Sequence, residues 1–182
     1  RLPGWYQTDD RSYYEDRYQV GTNVGNTSFV ALALLHYYRQ FGGEQYLAMA
    51  RTIMNWVLDH CYDGTPGFTA GYDGWPEGDG SAVYTYTYKS TEHNIDAYAV
   101  FTQLYALTGE KRYQDASESA RTFLISMYDP AGGTFYSGTG NDGVTPNKEN
   151  IVLDTHVWSL LALGKEAFAP YEEALSNAAA MQ

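Results

Sequence analysis

Hydrophobic residues recur every three or four positions over six stretches of the chain, which predicts six amphipathic helices. The first predicted helix runs from Gly25-Asn26-Thr27 to about Phe41. Its apolar residues cover so much of the circumference that two alternative stripes qualify as buried: Phe29, Leu32, Leu35 and Tyr38, or Leu34, Tyr37 and Phe41. A helix of this kind is expected to pack against several neighbours.

The other five helices complete three pairs. They are predicted at Glu44 to about His60, Thr91 to Leu107, Glu110 to about Met127, Asn150 or Asp154 to Leu163, and roughly Glu166 to Ala180. The apolar side of the first of these five consists of Tyr46, Leu47, Ala50, Ile53, Met54 and Val57. Gly42-Gly43, Gly109 and Gly164 separate the two members of each pair. Connections this short predict antiparallel helical hairpins.

The segments between the pairs are rich in turn-forming residues. Residues 63–74 and 132–143 are dense in Gly, Asp and Thr, and Tyr84 to Tyr88 alternates in a way that predicts a short strand. Residues 1–23 have no clear period, which indicates an ordered loop with a short strand. Asp73, Glu77 and Asp79 hint at a calcium loop, but their spacing does not match the EF-hand pattern.

The order helix, tight turn, helix, long Gly-rich loop recurs three times, so the chain contains an internal repeat. Each unit buries its apolar faces only against its neighbours, as in solenoids and toroids. We therefore expect an all-α fold of antiparallel helical hairpins, about three of them, with short β-hairpin loops. Residues 1–182 are expected to form a single domain.

Composition narrows the classes of partner. With 182 residues and a net charge of −11, the chain is a poor match for nucleic acid or an anionic membrane surface. Its 18 Tyr residues suit wet binding grooves, including those for sugars, although many must fill helix interfaces. The single cysteine, Cys61, is expected in the core. Low lysine content, many Tyr residues and the acidic balance favour a secreted or periplasmic location.

The segment from Tyr88 to Tyr98 carries the densest group of chemically active side chains: Glu92, His93, Asn94 and Asp96. Ser90 or Thr91 is expected to cap the helix that begins there. Glu92 and Asp96, four residues apart, then share one helix face with His93 beside them.

The first helices of successive hairpins are expected to run parallel, so their N-terminal ends gather on one side, which we call the rim. The residues that this arrangement brings to the rim are Asn23, Gly25, Asn26, Glu92, His93, Asn94, Asp96, Asp154, His156 and Trp158. Carboxylates of the first segment, Asp9, Asp10 and Asp16, and the aromatic Trp5 are within reach of the same place.

Two carboxylates across a cleft are what cleavage of a glycosidic bond requires, one protonated and the other ionised. We assign Glu92 as the acid and Asp154 as its partner, although both residues equally fit ordinary helix capping. The expected substrate-binding residues are His93, Asn94, Asp96, His156, Trp158, Asp10 and Trp5. The ligand expected for such a rim is neutral and rich in hydroxyl groups, that is, a carbohydrate.

Other chemistries are less well supported. An epimerase or lyase would use His93 and His156 for proton transfer, and a non-catalytic glycan-binding module would need only the aromatic residues. Glu92, His93 and His156 show no HExxH or CxxC arrangement, so no metal site is expected, and no cofactor motif is recognised. A Ser–His–Asp triad lacks a nucleophile elbow.

Several segments together resemble the six-hairpin glycosidase superfamily, whose members are (α/α)6 toroids. The residues that carry the resemblance are Val24-Gly25-Asn26 before Ala31 to Leu35, Ser90 to Tyr98, Leu107 to Tyr113 and Leu153 to Gly164. The resemblance implies a carbohydrate-active protein, but it transfers no catalytic role to a particular residue. A closed toroid has six hairpins and three are visible here, so another segment or chain would complete the ring, or the array is open with exposed apolar edges.

Overall fold

The computed structural model describes residues 4–7, 9–15, 21–73, 85–166 and 168–180, and within these ranges the chain is mainly helical. The helices are α1 (Val24–Phe41), α2 (Glu44–Cys61), α3 (Thr91–Thr108), α4 (Lys111–Ser126), α5 (Leu153–Leu163) and α6 (Tyr171–Ala180). They pair as three hairpins, α1 with α2, α3 with α4 and α5 with α6. The predicted all-α hairpin fold is confirmed.

The three first helices of the hairpins form one continuous row. Helix α3 packs against α1 on one flank and against α5 on the other, while each of the three also packs against its own hairpin partner. We call α1, α3 and α5 the inner helices. Their starts lie together, because Gly25 of α1 contacts the ring of His93 in the first turn of α3.

Local chemistry sets the ends of these helices. The Asn23 side chain caps α1 by accepting the Asn26 N–H at 2.7 Å, and Ser90 caps α3 by accepting the N–H of His93 at 3.4 Å. Helix α3 ends at Gly109, whose φ of 70° is the left-handed conformation that glycine adopts without strain. The Ser90 cap and the Gly109 stop read from the sequence are therefore present, whereas the Asn23 cap was not predicted.

Short antiparallel strands lie before the first helical hairpin and between successive hairpins. They are β1 (Gly4–Tyr6) paired with β2 (Tyr13–Glu15), a sheet of β3 (Thr22–Asn23), β4 (Gly71–Tyr72) and β5 (Thr85–Tyr86), and β6 (Tyr128–Asp129) paired with β7 (Thr134–Phe135). The central sheet joins the start of α1 to the loop after α2, and the Val24 N–H donates to the carbonyl of Ala70 at 3.0 Å. The β-hairpin loops expected from the sequence are therefore present.

A buried lysine ties the two long loops together. The side chain of Lys89 is 0% exposed, and its Nζ donates to Asp63 Oδ1 at 2.9 Å, Thr65 Oγ1 at 2.7 Å and the carbonyl of Pro66 at 2.9 Å. Its backbone N–H donates to Thr139 Oγ1 at 2.9 Å. Lys89 therefore fixes the segment that leads into α3, although nothing in the sequence pattern singled it out.

Two apolar clusters form the core. One lies among α1 to α4 and contains Cys61, and the other lies among α3 to α6 around Phe135 and Leu160. Burial raises the pKa of the Cys61 thiol to about 12, so this thiol is a core residue as predicted. None of the helices within the described ranges has the length and apolar character needed to cross a membrane.

The predicted stripes of α1 need correction. The residues that α1 buries are Val24, Gly25, Ser28, Ala31 and Leu35, whereas Phe29 and Tyr37 are exposed and Phe41 is 70% exposed. Helix α1 packs mainly on α2 and α3, so the face that points away from both has no cover in the described part of the chain.

Helix α6 begins at Tyr171 rather than near Glu166. Residues 165, 166, 169 and 170 form turns, and the Ala174 N–H donates to the carbonyl of Pro170 at 3.0 Å, so the helical bonding starts there. Proline disfavours helical conformation in the residue before it, which explains the late start. Of the hinted calcium loop, Glu77 and Asp79 lie outside the described residues, as does Asp16 of the predicted rim.

Candidate functional site

Three carboxylates gather at the starts of α3 and α5: Glu92, Asp96 and Asp154, which we call the carboxylate cluster. Burial raises the pKa of Glu92, and the charge of Asp154 raises it further. Burial likewise raises the pKa of Asp96, to about 7, with a further contribution from Glu92. The structure therefore brings Glu92 and Asp154 close enough for their charges to interact across two helices.

The repeat places these residues in two layers. Gly25, Glu92 and Asp154 are each the second residue of an inner helix, and Phe29, Asp96 and Trp158 are each the sixth. The second layer therefore lies about one helical turn deeper than the first. The first layer contains the carboxylates of Glu92 and Asp154, and we call it the mouth of the site. The second layer contains two aromatic rings and one carboxyl group.

The deeper layer forms a groove, which is lined by Phe29, Ile95, Asp96, Ala99, Trp158, Leu161 and Ala162. The rings of Phe29 and Trp158 meet edge to face, with centroids 6.2 Å apart and planes at 70°. The groove has a volume of about 300 Å³, at the lower end of the range for small-molecule sites. Its walls are apolar except for Asp96, so it suits a ligand with a flat apolar face.

Asp96 is the buried carboxyl group of the site. The residue is 5% exposed, and its Oδ2 atom is buried with no hydrogen-bond partner among the described residues. A buried carboxyl oxygen without a partner is costly, and burial of this kind favours the protonated form.

His93 lies beside the cluster, with its ring against Gly25. Burial lowers the pKa of His93, so the imidazole is neutral at pH 7. Its Nδ1 atom is buried and has no partner in the described part of the chain. A neutral imidazole is a suitable proton acceptor.

Asn94, which was expected to bind substrate, is used by the fold instead. It is fully buried, its Oδ1 accepts the Phe68 N–H at 2.7 Å, and its Nδ2 donates to the carbonyls of Phe68 at 3.0 Å and Ser90 at 2.8 Å. These contacts hold the loop after α2 against the start of α3, so we leave Asn94 out of the site.

His156, the second predicted histidine, is also fully buried and points away from the groove toward α6. Its Nε2 donates to the carbonyl of Ala174 at 2.7 Å, and its ring packs edge to face on Phe135. The contact joins α5 to α6 within the second hydrophobic core. His156 therefore has a structural partner that the sequence pattern did not reveal, and we leave it out of the site.

The two residues expected from the first segment lie on the β1–β2 hairpin. Asp10 is exposed in its turn, and hydrogen bonds from Ser12 lower the pKa of Asp10, the backbone bond being 2.8 Å long. Trp5 pairs with Tyr14 in β1, and its side chain lies outside what the structure describes. No described contact connects either residue to the carboxylate cluster.

Phe29 lines the groove, although the sequence pattern placed it in the hydrophobic core. Alignment of the three repeats by helix start would have found it, because Phe29, Asp96 and Trp158 occupy equivalent positions.

In the described ranges, no group of three or more His, Cys, Asp or Glu side chains is arranged to hold a metal ion.

Comparison with known proteins gives a fold but no family. No protein-family model and no curated protein matches the sequence. Among solved structures, a family 76 glycoside hydrolase from a bovine Bacteroides thetaiotaomicron strain matches with a TM-score of 0.70 at 15% identity, over 94% of this chain and 38% of its own.

Two sugar-converting enzymes match in the same way. Cellobiose 2-epimerase from Spirochaeta thermophila has a TM-score of 0.68 at 14% identity, over 96% of this chain and 49% of its own. A D-mannose isomerase has a TM-score of 0.60 at 19% identity, over 86% of this chain and 37% of its own. The chain thus spans less than half of each of these three structures. The resemblance to (α/α)6 six-hairpin toroids is confirmed at the level of the fold.

Proposed function

We propose that this protein is a carbohydrate-active enzyme, and specifically a glycoside hydrolase acting on an oligosaccharide or polysaccharide. One observation carries the proposal: Glu92 and Asp154, on neighbouring inner helices, interact electrostatically at the mouth of an aromatic groove. The helical-hairpin fold, which several glycoside hydrolases and sugar epimerases share, supports the same class.

In this proposal Glu92 is the general acid. Burial and the nearby Asp154 charge favour its protonated form, which is the form that donates to a leaving glycosidic oxygen. Asp154 is exposed, so water reaches its carboxylate, and it serves as the base or nucleophile of the pair. The aromatic rings of Phe29 and Trp158 would hold a sugar by its C–H face.

The test is release of reducing sugar from a panel of neutral glycans. We expect Glu92→Gln and Asp154→Asn each to lower kcat/KM by about 10²–10⁴-fold, the usual contribution of a general acid or base. The matched control is Glu118→Gln, whose exposed side chain lies on α4, and its activity should equal that of the wild type. Undiminished activity of Glu92→Gln would remove Glu92 as the acid.

A second candidate is a sugar epimerase or isomerase. It is favoured by the neutral, buried imidazole of His93, whose Nδ1 has no partner among the described residues. An epimerase that uses both His93 and His156 for proton transfer is less well supported, because His156 donates to the carbonyl of Ala174. NMR analysis of products from D-mannose and cellobiose separates the candidates, since an epimerase conserves mass and a hydrolase does not. Binding without turnover would indicate a non-catalytic glycan-binding module.

We also propose that further hairpins cover the open flank of α1. Val30, Tyr37 and Phe41 are exposed on that helix, and the similar solved structures are about twice as long as this chain or longer. Phe41→Ser should leave the unfolding free energy of the 182-residue chain within about 0.5 kcal/mol, because Phe41 is already exposed. The same change should destabilise any longer or associated form, and an equal effect in both would contradict the proposal.

A further inference from the structure

Asp96 differs from the other two acids of the carboxylate cluster in its surroundings. It lies one turn below the mouth and lines the groove. Its Oδ2 has no hydrogen-bond partner among the described residues, and the residue is 5% exposed. A native fold rarely leaves such an atom unsatisfied unless water, an ion or a ligand supplies the missing partner.

The groups that face Asp96 do not favour an ionised carboxylate there. From α1 and α5 it meets the uncharged Phe29, Trp158, Leu161 and Ala162 across the groove. On its own helix the charge that acts on it is that of Glu92, which is in turn affected by Asp154. No cation among the described residues lines the groove. Neighbours of this kind favour a neutral carboxylic acid, which is a hydrogen-bond donor as well as an acceptor.

We propose that Asp96, in its neutral form, donates a hydrogen bond to an oxygen of one neutral sugar ring seated between Phe29 and Trp158. The inference rests on the proposed carbohydrate function and adds the chemical class of the ligand and a role for this residue. Asp96 is then a binding residue that positions the sugar beneath Glu92, and it transfers no proton to the glycosidic oxygen.

The same geometry selects against acidic sugars. A uronic acid in the groove would bring its carboxylate close to Glu92 and Asp154, in a protein of net charge −11. Like charges repel, whereas a neutral pyranose offers hydroxyl acceptors and an apolar face. The preferred substrates are therefore neutral glycans.

Two substitutions separate this role from that of a catalytic acid. The variant Asp96→Asn keeps the size, the neutrality and a donor group, but its amide does not ionise. The variant Asp96→Leu keeps the branched shape of the side chain and removes both donor and acceptor. A binding donor tolerates the first change and not the second, whereas a general acid tolerates neither.

The experiment measures binding of cellobiose, mannobiose and glucuronic acid by calorimetry between pH 5.5 and 8.5. For wild type we expect affinity for the neutral disaccharides to fall about tenfold per pH unit above pH 7, as Asp96 ionises. Asp96→Asn should bind within about threefold of the wild-type affinity at pH 5.5 and lack that component of the pH dependence. Asp96→Leu should bind at least about tenfold more weakly at pH 5.5, and glucuronic acid should bind no variant.

Three results would overturn the proposal. The first is equal loss of binding in Asp96→Asn and Asp96→Leu, and the second is the same pH dependence in wild type and Asp96→Asn. The third is unchanged binding in Asp96→Asn with turnover slowed by about two orders of magnitude or more, which would make Asp96 a proton donor. If wild type binds neither disaccharide but still releases reducing sugar from glycans, the subsite is wrong while the hydrolase proposal stands.

Discussion

Gly25 lies directly against the imidazole of His93, so that at this point the starts of α1 and α3 are separated by the His93 ring alone. A Cβ atom on Gly25 would stand 2.5 Å from Cδ2 and 3.0 Å from Nε2 of that ring. The glycine therefore determines how closely α1 approaches the first turn of α3, and it leaves room for the His93 ring.

Gly25→Ala should destabilise the protein by about 1–3 kcal/mol, because the added methyl group overpacks a buried contact. The free energy lost in this way exceeds the gain from the better helix propensity of alanine. Urea unfolding measures the change. Asn26→Ala, at the next and exposed position, is the control and should change stability by less than about 0.5 kcal/mol.

A double variant, Gly25→Ala with His93→Ala, tests whether the His93 ring is what the added methyl group would clash with. Removal of the ring leaves space for the new methyl group, so the double variant should be less destabilised than the sum of the two single variants. Additive effects would mean that His93 is not what Gly25 accommodates.

Lys89→Met should cost about 2–3 kcal/mol of stability. The change removes the Nζ donor from Asp63, Thr65 and Pro66, and Asp63 is solvated enough to keep the loss below that of a fully buried pair. The control is Lys111→Met, whose exposed pair with Asp115 should contribute less than about 0.5 kcal/mol. Equal unfolding midpoints for Lys89→Met and wild type would show that the Nζ contacts of Lys89 are not needed to hold the loop after α2.

Stability should fall with rising pH because of Asp96. Its folded-state pKa, about 7, lies above the ordinary value of 3.8, so the folded protein binds a proton that the unfolded chain has released between these limits. The stabilisation is complete below about pH 3.8 and is lost as pH rises through about 7.

Wild type should lose on the order of 2–4 kcal/mol of unfolding free energy relative to Asp96→Asn between pH 4 and pH 8. Denaturant titrations of both proteins at a series of pH values provide the comparison. Parallel stability curves for the two proteins would show that Asp96 titrates normally.

Trp158→Ala should weaken the binding of neutral disaccharides by about tenfold or more, since the indole forms one wall of the groove. Phe29→Ala should have a smaller effect of the same sign, because the phenyl ring is smaller than the indole and offers a sugar less apolar area. Phe41→Ala is the matched aromatic control on α1, outside the groove, and should bind normally. Unaltered affinity of Trp158→Ala would place the sugar elsewhere.

The hairpins were predictable because their signals are local. Ser90 before the first turn, Gly42 and Gly109 after the last, and the apolar spacing between them act within a few residues of the chain. The same reasoning put Glu92 and Asp154 at equivalent positions of two repeats, and the interaction between their charges follows from that placement.

What the sequence could not supply were partners distant along the chain. Asn94 is bonded to Phe68, 26 residues earlier, and His156 to Ala174, 18 residues later, so two apparent ligand-binding residues are used by the fold. Periodicity likewise places Tyr37 and Phe41 on one face of α1, but it does not say whether another helix covers that face.

Burial of Cys61 has a practical consequence for studying the groove. The chain has one cysteine, and its thiol, with a pKa of about 12, resists alkylation in the native state. A cysteine introduced at the exposed groove residue Leu161 would therefore be the sole fast-reacting position. A fluorophore attached there would report occupancy of the groove in real time, without removal of the native thiol.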